Sequence, residues 1–301
     1  RRHWSPRLDA EELIEATGGH PLALCVLAAA MAGRAVPDVI PELEMMMPGL
    51  RTGEARLGNQ ALEIGLEYLM RTLGDDTRAH LAGLGLFAGG GMEPLVTRML
   101  AVGDEAIDSS DWEEAKSKLS AAQLLGAQRL PSLSVPLVSL HPALTHFLRR
   151  RLSGEPLARL RERYVETYIG LLGWLAQTES RAAESVDMLT RGELGNLRRV
   201  LDSLLETEKL DDVIVYVRYL GHFLEKLGFV GERELVARRV DGMMRSALPA
   251  EGPLGRPAVR FLLNQSDQLA ASGRIREAGM TLQQLMERMS KEGGVSYSGD
   301  E

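Results

Sequence analysis

Residues 127–142, Ala127-Gln128-Arg129-Leu130-Pro131-Ser132-Leu133-Ser134-Val135-Pro136-Leu137-Val138-Ser139-Leu140-His141-Pro142, interrupt an otherwise helical pattern. Two short apolar runs, Ala127 to Leu130 and Val135 to Leu140, flank a turn-forming Pro-Ser-Leu-Ser segment, which predicts a two-stranded hairpin with a wing-like loop. A helix from Pro142 to Leu152 is expected to follow it. Upstream, leucine and alanine recur at helical spacing, and helices are expected at Ala61 to Leu73, Asp76 to Phe87, Glu93 to Val102 and Trp112 to Leu125.

Several helices, a hairpin and a closing helix give the layout of a winged-helix domain over residues 59–153. Gly89-Gly90-Gly91 lies between two of these helices without the strand, lysine and Ser/Thr of a phosphate loop, so it reads as a connector.

Further upstream stands Gly18-Gly19-His20-Pro21-Leu22-Ala23-Leu24. Pro21 opens a helix, because its missing N–H falls among the donors a helix start leaves unpaired and its fixed φ suits the first turn. The positive end of that helix favours an anion beside Gly18 and Gly19; a tight turn into a buried helix is the simpler reading. An earlier helix runs from Asp9, with Glu12 three residues on, to about Thr17, and the Pro21 helix is expected to reach Gly33. Pro37, Pro41 and Pro48 divide the adjoining stretch into short helical pieces such as Val39 to Met46. Met45, Met46 and Met47 read as core filling rather than a partner surface. Residues 48–59 form a linker, so 1–58 is a helical segment of its own.

Downstream, Leu157, Leu160, Tyr164, Tyr168, Leu171 and Leu175 trace one face of a long helix. Helices then follow at Gly192 to Glu206, Asp211 to Leu227, Gly231 to Ala247, Ala258 to Ala271 and Ile275 to Met289. Setting Gly228 over Gly273 aligns Gly221 with Ser266, Leu224 with Leu269, Val230 with Ile275 and Val240 with Leu285, an offset of 45 residues. The tetratricopeptide period is about 34, and the difference matches the Pro/Gly-rich insert Ser246 to Arg256. Residues 154–290 are therefore expected to form an α-solenoid of tetratricopeptide-like hairpins, and 291–301 a flexible tail. The fold class expected of the whole chain is mainly α.

Composition excludes several functions. The chain has 301 residues and a formal net charge of -7, which argues against attraction to nucleic acid or to an anionic membrane. Its single cysteine, Cys25, forms no internal disulfide and offers no pair for zinc. It reads as a buried small hydrophobe in a cytoplasmic protein. The longest apolar run, Pro21 to Ala32, is shorter than the ~20 residues of a membrane span. No signal peptide opens the chain. Its start at Arg1 predicts a fragment, or the C-terminal portion of a longer protein.

The charge of the candidate recognition helix bears on DNA. From Trp112 to Leu125, Glu113 and Glu114 balance Lys116 and Lys118, a poor match to a phosphate backbone. Arg149, Arg150, Arg151, Arg159, Arg161 and Arg163 form a basic run, read as a solvated face in preference to a nucleic-acid patch.

Three short motifs, in order, resemble the middle and C-terminal parts of STAND-type signalling NTPases, the group that includes the NB-ARC ATPases and bacterial regulators with tetratricopeptide sensors. Gly19-His20-Pro21-Leu22-Ala23-Leu24 is similar to that family's GxP turn. Leu140-His141-Pro142 is similar to the histidine motif that ends its winged-helix hairpin. Glu193-Leu194-Gly195-Asn196-Leu197-Arg198 resembles the opening of the helical array in bacterial members.

The resemblance implies that Pro21, with Gly19 and His20, packs on the adenine of bound ADP and that His141 reaches its β-phosphate in a closed, inactive state. A histidine ring N–H suits that task. The alternative for His141 is a hydrogen-bonded residue at a strand end.

No G-x-x-x-x-G-K-[ST] phosphate loop occurs, nor a G-x-S-x-G elbow, nor a Cys/His cluster. The expectation is a non-catalytic regulatory and sensor region that meets ADP or ATP only together with an upstream NTPase domain. It binds a protein or peptide on its repeats and takes part in oligomerisation of the activated parent. A winged-helix transcription regulator and a nucleotide-independent scaffold are the alternatives.

Overall fold

A computed structural model describes residues 11, 13–14, 17–46, 57–102, 105–129, 135–207, 210–247, 256–271 and 273–291. They are mainly helical, with one small antiparallel sheet of three strands. The chain divides into two compact units, Arg1–Tyr164 and Val165–Glu301.

In the first unit, α1 (Pro21–Ala30) and α2 (Val36–Met46) precede α3 (Leu57–Arg71) and α4 (Asp75–Leu81). Helix α1 ends three residues before the expected Gly33, which turns the chain at φ +85°. It packs on α3 and α6 through Ala23, Val26, Leu27 and Ala30, all buried. Helix α2 is longer than its prolines suggest and runs through Pro41. Val39, Ile40 and Leu43 are fully buried along it, and their burial offsets the backbone bond that Pro41 removes. Met45 is 78% exposed, so core filling is wrong for it. Met47 and the proposed linker up to Arg56 lie outside the described residues.

The expected single helix over 76–87 is instead α4 followed by a 3-10 turn, Ala82–Leu86. Helix α7 (Pro142–Arg151) packs against that turn, and Arg149 Nε donates to Gly85 O at 2.9 Å. The tighter winding thus presents a carbonyl to a neighbouring cation rather than to the next helical N–H.

The glycine connector is also a correction. Gly90–Met92 is a strand, β1, which leads directly into α5 (Glu93–Met99). After α6 (Ser109–Ala121) come β2 (Leu125–Gln128) and β3 (Leu137–Leu140), and the sheet order is β1-β3-β2. The register sets Leu125 opposite Leu140 and Gly90 opposite Ser139. Glycine is required at 90: φ is +119°, and a Cβ there would lie 1.9 Å from Val138 O. A run without side chains gives no strand periodicity to read, which is why the sequence does not reveal the third strand. The expected hairpin loop Pro131 to Ser134 lies outside the described residues.

The second unit continues from α8 (Gly154–Thr178) with α9 (Ala183–Thr207), α10 (Leu210–Lys226), α11 (Val230–Ala247), α12 (Arg256–Ala271) and α13 (Ile275–Lys291). Antiparallel neighbours pack in sequence, α9 on α10, α10 on α11 and α12 on α13, and α10 also packs on α12.

The two turns aligned from sequence match bond for bond. Gly228 and Gly273 have φ +79° and +78°. Phe229 N donates to Leu224 O and Arg274 N to Leu269 O, both at 2.8 Å, while Gly228 N and Gly273 N reach Glu225 O and Ala270 O at 3.0 Å. This pairing of bonds is the Schellman end of a helix, in which a left-handed residue caps the last carbonyls.

Candidate functional site

Three of the four residues singled out from sequence, Gly19, His20 and Pro21, sit at the start of α1. An earlier turn ends with Gly18 and Gly19 at φ +57° and +71°, and Gly19 N donates to Ile14 O at 2.9 Å. His20 then takes an extended conformation, and its Nδ1 accepts the Ala23 N–H at 3.2 Å. His20 is half-buried, and Gly19 and Pro21 are exposed.

The fourth residue also caps its helix, at the start of α7, one residue earlier in the first turn. His141 is extended, and its Nδ1 accepts the Ala143 N–H at 3.1 Å. Its own backbone N–H donates to Leu124 O at 2.8 Å, which ties the end of β3 to the end of α6. His141 and Pro142 are both exposed.

A ring nitrogen that accepts a backbone N–H carries no proton. The heavy-atom geometry therefore assigns both rings the tautomer protonated on Nε2. His141 Nε2 has no partner among the described residues, so it offers an N–H donor to solvent. Neither α1 nor α7 has an acidic residue in its first turn, which leaves the positive helix ends uncompensated.

Histidine is an uncommon cap. Asn, Asp and Ser cap more strongly, and a His-Pro pair at each helix start is the shared local signal. The two sites are not joined to each other. α1 and α7 both pack on α3, but no hydrogen bond links residues 19–21 to 141–142 among the described residues.

A larger hollow was missed by sequence reasoning. A cavity of about 1230 Å³ is lined by Arg34, Glu42, Glu67, Tyr68, Arg71 and Arg151, among others. Arg34 pairs with Glu42 at 2.5 Å, and Tyr68 Oη donates to Glu42 at 3.0 Å. Hydrogen bonds from Arg34 and then Tyr68 hold the Glu42 carboxyl below its ordinary range. Burial pushes the Glu67 carboxyl up, but hydrogen bonds and charge from Arg151 and Arg71 outweigh it, and the net shift is downward. The hollow is therefore built of mutually neutralised groups from α2, α3, α7 and the turn before α2, of which only Glu67 and Arg71, four apart on α3, form a pair at helical spacing.

The basic run is likewise committed within the chain. Arg149 binds Gly85 O, Arg150 pairs with Glu63, Arg151 with Glu67, Arg159 with Glu155, and Arg163 donates to Ala101 O. On α6, Lys116 pairs with Glu93 and Glu113, and Lys118 with Glu114 and with Thr72 O. These cations already have partners, so neither segment presents the unpaired charge that phosphate neutralisation uses.

The Glu193 motif is buried. Glu193 Oε2 accepts from Tyr168 Oη and from Asn196 Nδ2, both at 2.7 Å, and all three residues are at most 2% exposed. Arg198 reaches out to Glu232. The motif thus clamps α8 to α9 through hydrogen bonds that a dry interior makes costly to lose.

Among the described residues no group of three or more His, Cys, Asp or Glu is arranged to hold a metal ion, and no helix is long and apolar enough to cross a membrane. Comparison with protein-family models, with curated proteins and with solved structures finds no match to this chain.

Proposed function

We propose that the chain is the regulatory and sensor region of a STAND-type signalling protein, in which Pro21 and His141 contribute to an ADP-dependent closed state. The observation that carries this reading is the His141 ring. Its Nδ1 is occupied by the Ala143 N–H and its Nε2–H stands exposed at an uncompensated helix start. That is a preset donor for an anion such as a phosphate.

The order of elements supports the same reading. A three-stranded sheet closed by α7 is consistent with a winged helix used for packing, and the paired cations of α6 argue against its reading DNA. The equivalent turns at Gly228 and Gly273 support tetratricopeptide-like hairpins, which take a protein or peptide ligand and shift the balance between closed and open forms. The chemistry of ATP belongs to a phosphate-loop domain of the parent protein.

The test is the nucleotide content of the parent protein as purified. Denaturing it and separating the released small molecules by anion exchange is expected to give close to one ADP per chain. Protein that folds, binds its partner and releases no nucleotide is a scaffold, and the proposal fails.

A further inference from the structure

We infer that α13 carries a self-association seam, on which a second copy of this chain packs antiparallel. Ile275, Gly279, Leu282, Met286 and Met289 recur at alternating spacings of four and three, the spacing that keeps one stripe of a helix facing a partner helix. All lie on the solvent side: Ile275 is 66%, Met286 67%, Met289 40% and Leu282 39% exposed. The face that α13 turns to α12 is a different one, marked by the buried Ala278 and Leu285. The stripe bears no charge and is contiguous along the helix, the signature of a protein interface rather than of scattered surface apolar residues.

The occupant follows from self-complementarity. An antiparallel copy related by a two-fold axis through Leu282 sets Ile275 opposite the partner's Met289. It sets Gly279, where a Cβ would meet nothing within 4 Å, within one residue of the partner's Met286 along the helix. The small position receives the large one, twice by symmetry, as an isologous interface requires. The flanking charges agree. Arg276 makes no ion pair among the described residues, and this arrangement brings it beside the partner's Glu287, which already accepts from its own Gln283 Nε2 at 2.9 Å. Two helices of 17 residues bury less than the ~1,600 Å² of a standard interface. The dimer therefore dissociates on dilution.

The test uses the whole chain. Sedimentation equilibrium is expected to show a mass that rises from monomer to dimer with concentration, and Met286→Glu is expected to abolish the rise while leaving the far-ultraviolet dichroism unchanged. In a Cys25→Ser background, Leu282→Cys is expected to form a covalent dimer on mild oxidation. Ile275→Cys and Met289→Cys are expected to stay monomeric alone and to cross-link when mixed. A monomer at every concentration overturns the inference and leaves the face to a different partner. Self-cross-linking of Ile275→Cys shows a parallel pair, and a dimer that survives Met286→Glu uses another surface; either result overturns it too.

Discussion

Replacing Gly90 with alanine tests the three-stranded sheet where it is least tolerant. The new Cβ lies 1.9 Å from Val138 O and 2.8 Å from Ser139 Cα, both backbone atoms of the central strand. That strand is hydrogen-bonded on both sides, to β1 and β2, so it cannot yield as a flexible side chain would. Relief requires β1 to leave β3, which forfeits two or three backbone bonds at about 0.5–1.5 kcal/mol each. An L-residue at φ +119° adds about 1–3 kcal/mol of backbone strain. The sum, roughly 2–7 kcal/mol, is a large part of the ~5–15 kcal/mol that holds a domain folded.

Gly89→Ala is the control. Its φ is +129°, but a Cβ there meets nothing within 4 Å, so it carries strain without overlap. Urea unfolding followed by the fluorescence of the buried Trp112, in a Trp4→Phe/Trp174→Phe background, reads the first unit. Gly90→Ala is expected to unfold at clearly lower urea than Gly89→Ala. Equal midpoints would refute the reasoning, because the close approach of β1 to Val138 would then contribute nothing.

Tyr168→Phe removes a donor to the buried Glu193 Oε2 and is expected to cost about 1–3 kcal/mol in denaturant unfolding of the second unit; a change below about 0.5 kcal/mol would contradict the clamp. Gln123, at φ +58°, closes α6 as a left-handed residue, with Leu124 N donating to Leu119 O at 2.9 Å. Gln123→Gly is therefore expected to raise the melting temperature, by up to about 1 kcal/mol of stability. Glu93 supplies a pH dependence. Burial pushes its carboxyl up, but hydrogen bonds from Lys116 and Trp112 outweigh that and hold it below its ordinary value when folded. Its contribution is present above the carboxylate's unfolded range and is lost as pH falls through the lowered folded value. Glu93→Gln is expected to flatten the acid limb of the stability profile and, because against the pull of burial Glu93 helps Glu113 hold the Lys116 ammonium above its ordinary value, to flatten the alkaline limb as well.

The helices were legible from sequence because their apolar faces are continuous, as in Tyr164, Tyr168, Leu171 and Leu175. The two equivalent turns were legible because Gly228 and Gly273 occupy one special conformation that few other residues take. Strand β1 was illegible for the opposite reason, since its glycines matter through what they lack. Pro41 misled, because tertiary burial of Val39, Ile40 and Leu43 outweighs a local helix-breaking preference. Of the site, the sequence marked His20, Pro21 and His141. It did not show that each ring caps its own helix through Nδ1, a consequence of backbone geometry at the strand end and the glycine turn. The neutralised hollow around Arg34, Glu42 and Glu67 joins α2, α3, α7 and the turn before α2, and only the Glu67–Arg71 spacing on α3 leaves a local trace.

The most direct test of the His141 role separates its two ring nitrogens. Asparagine at 141 keeps an acceptor for the Ala143 N–H, and so the helix cap, but is too short to present the outward N–H of the imidazole. Calorimetric titration of ADP onto the parent protein is expected to show His141→Asn weakened roughly 10- to 150-fold, the loss of one hydrogen bond to a charged group at about 1.5–3 kcal/mol. Its melting temperature without nucleotide should be no lower, because asparagine is the stronger cap. An ADP affinity equal to that of the unsubstituted protein would mean that His141 is a helix cap and nothing more.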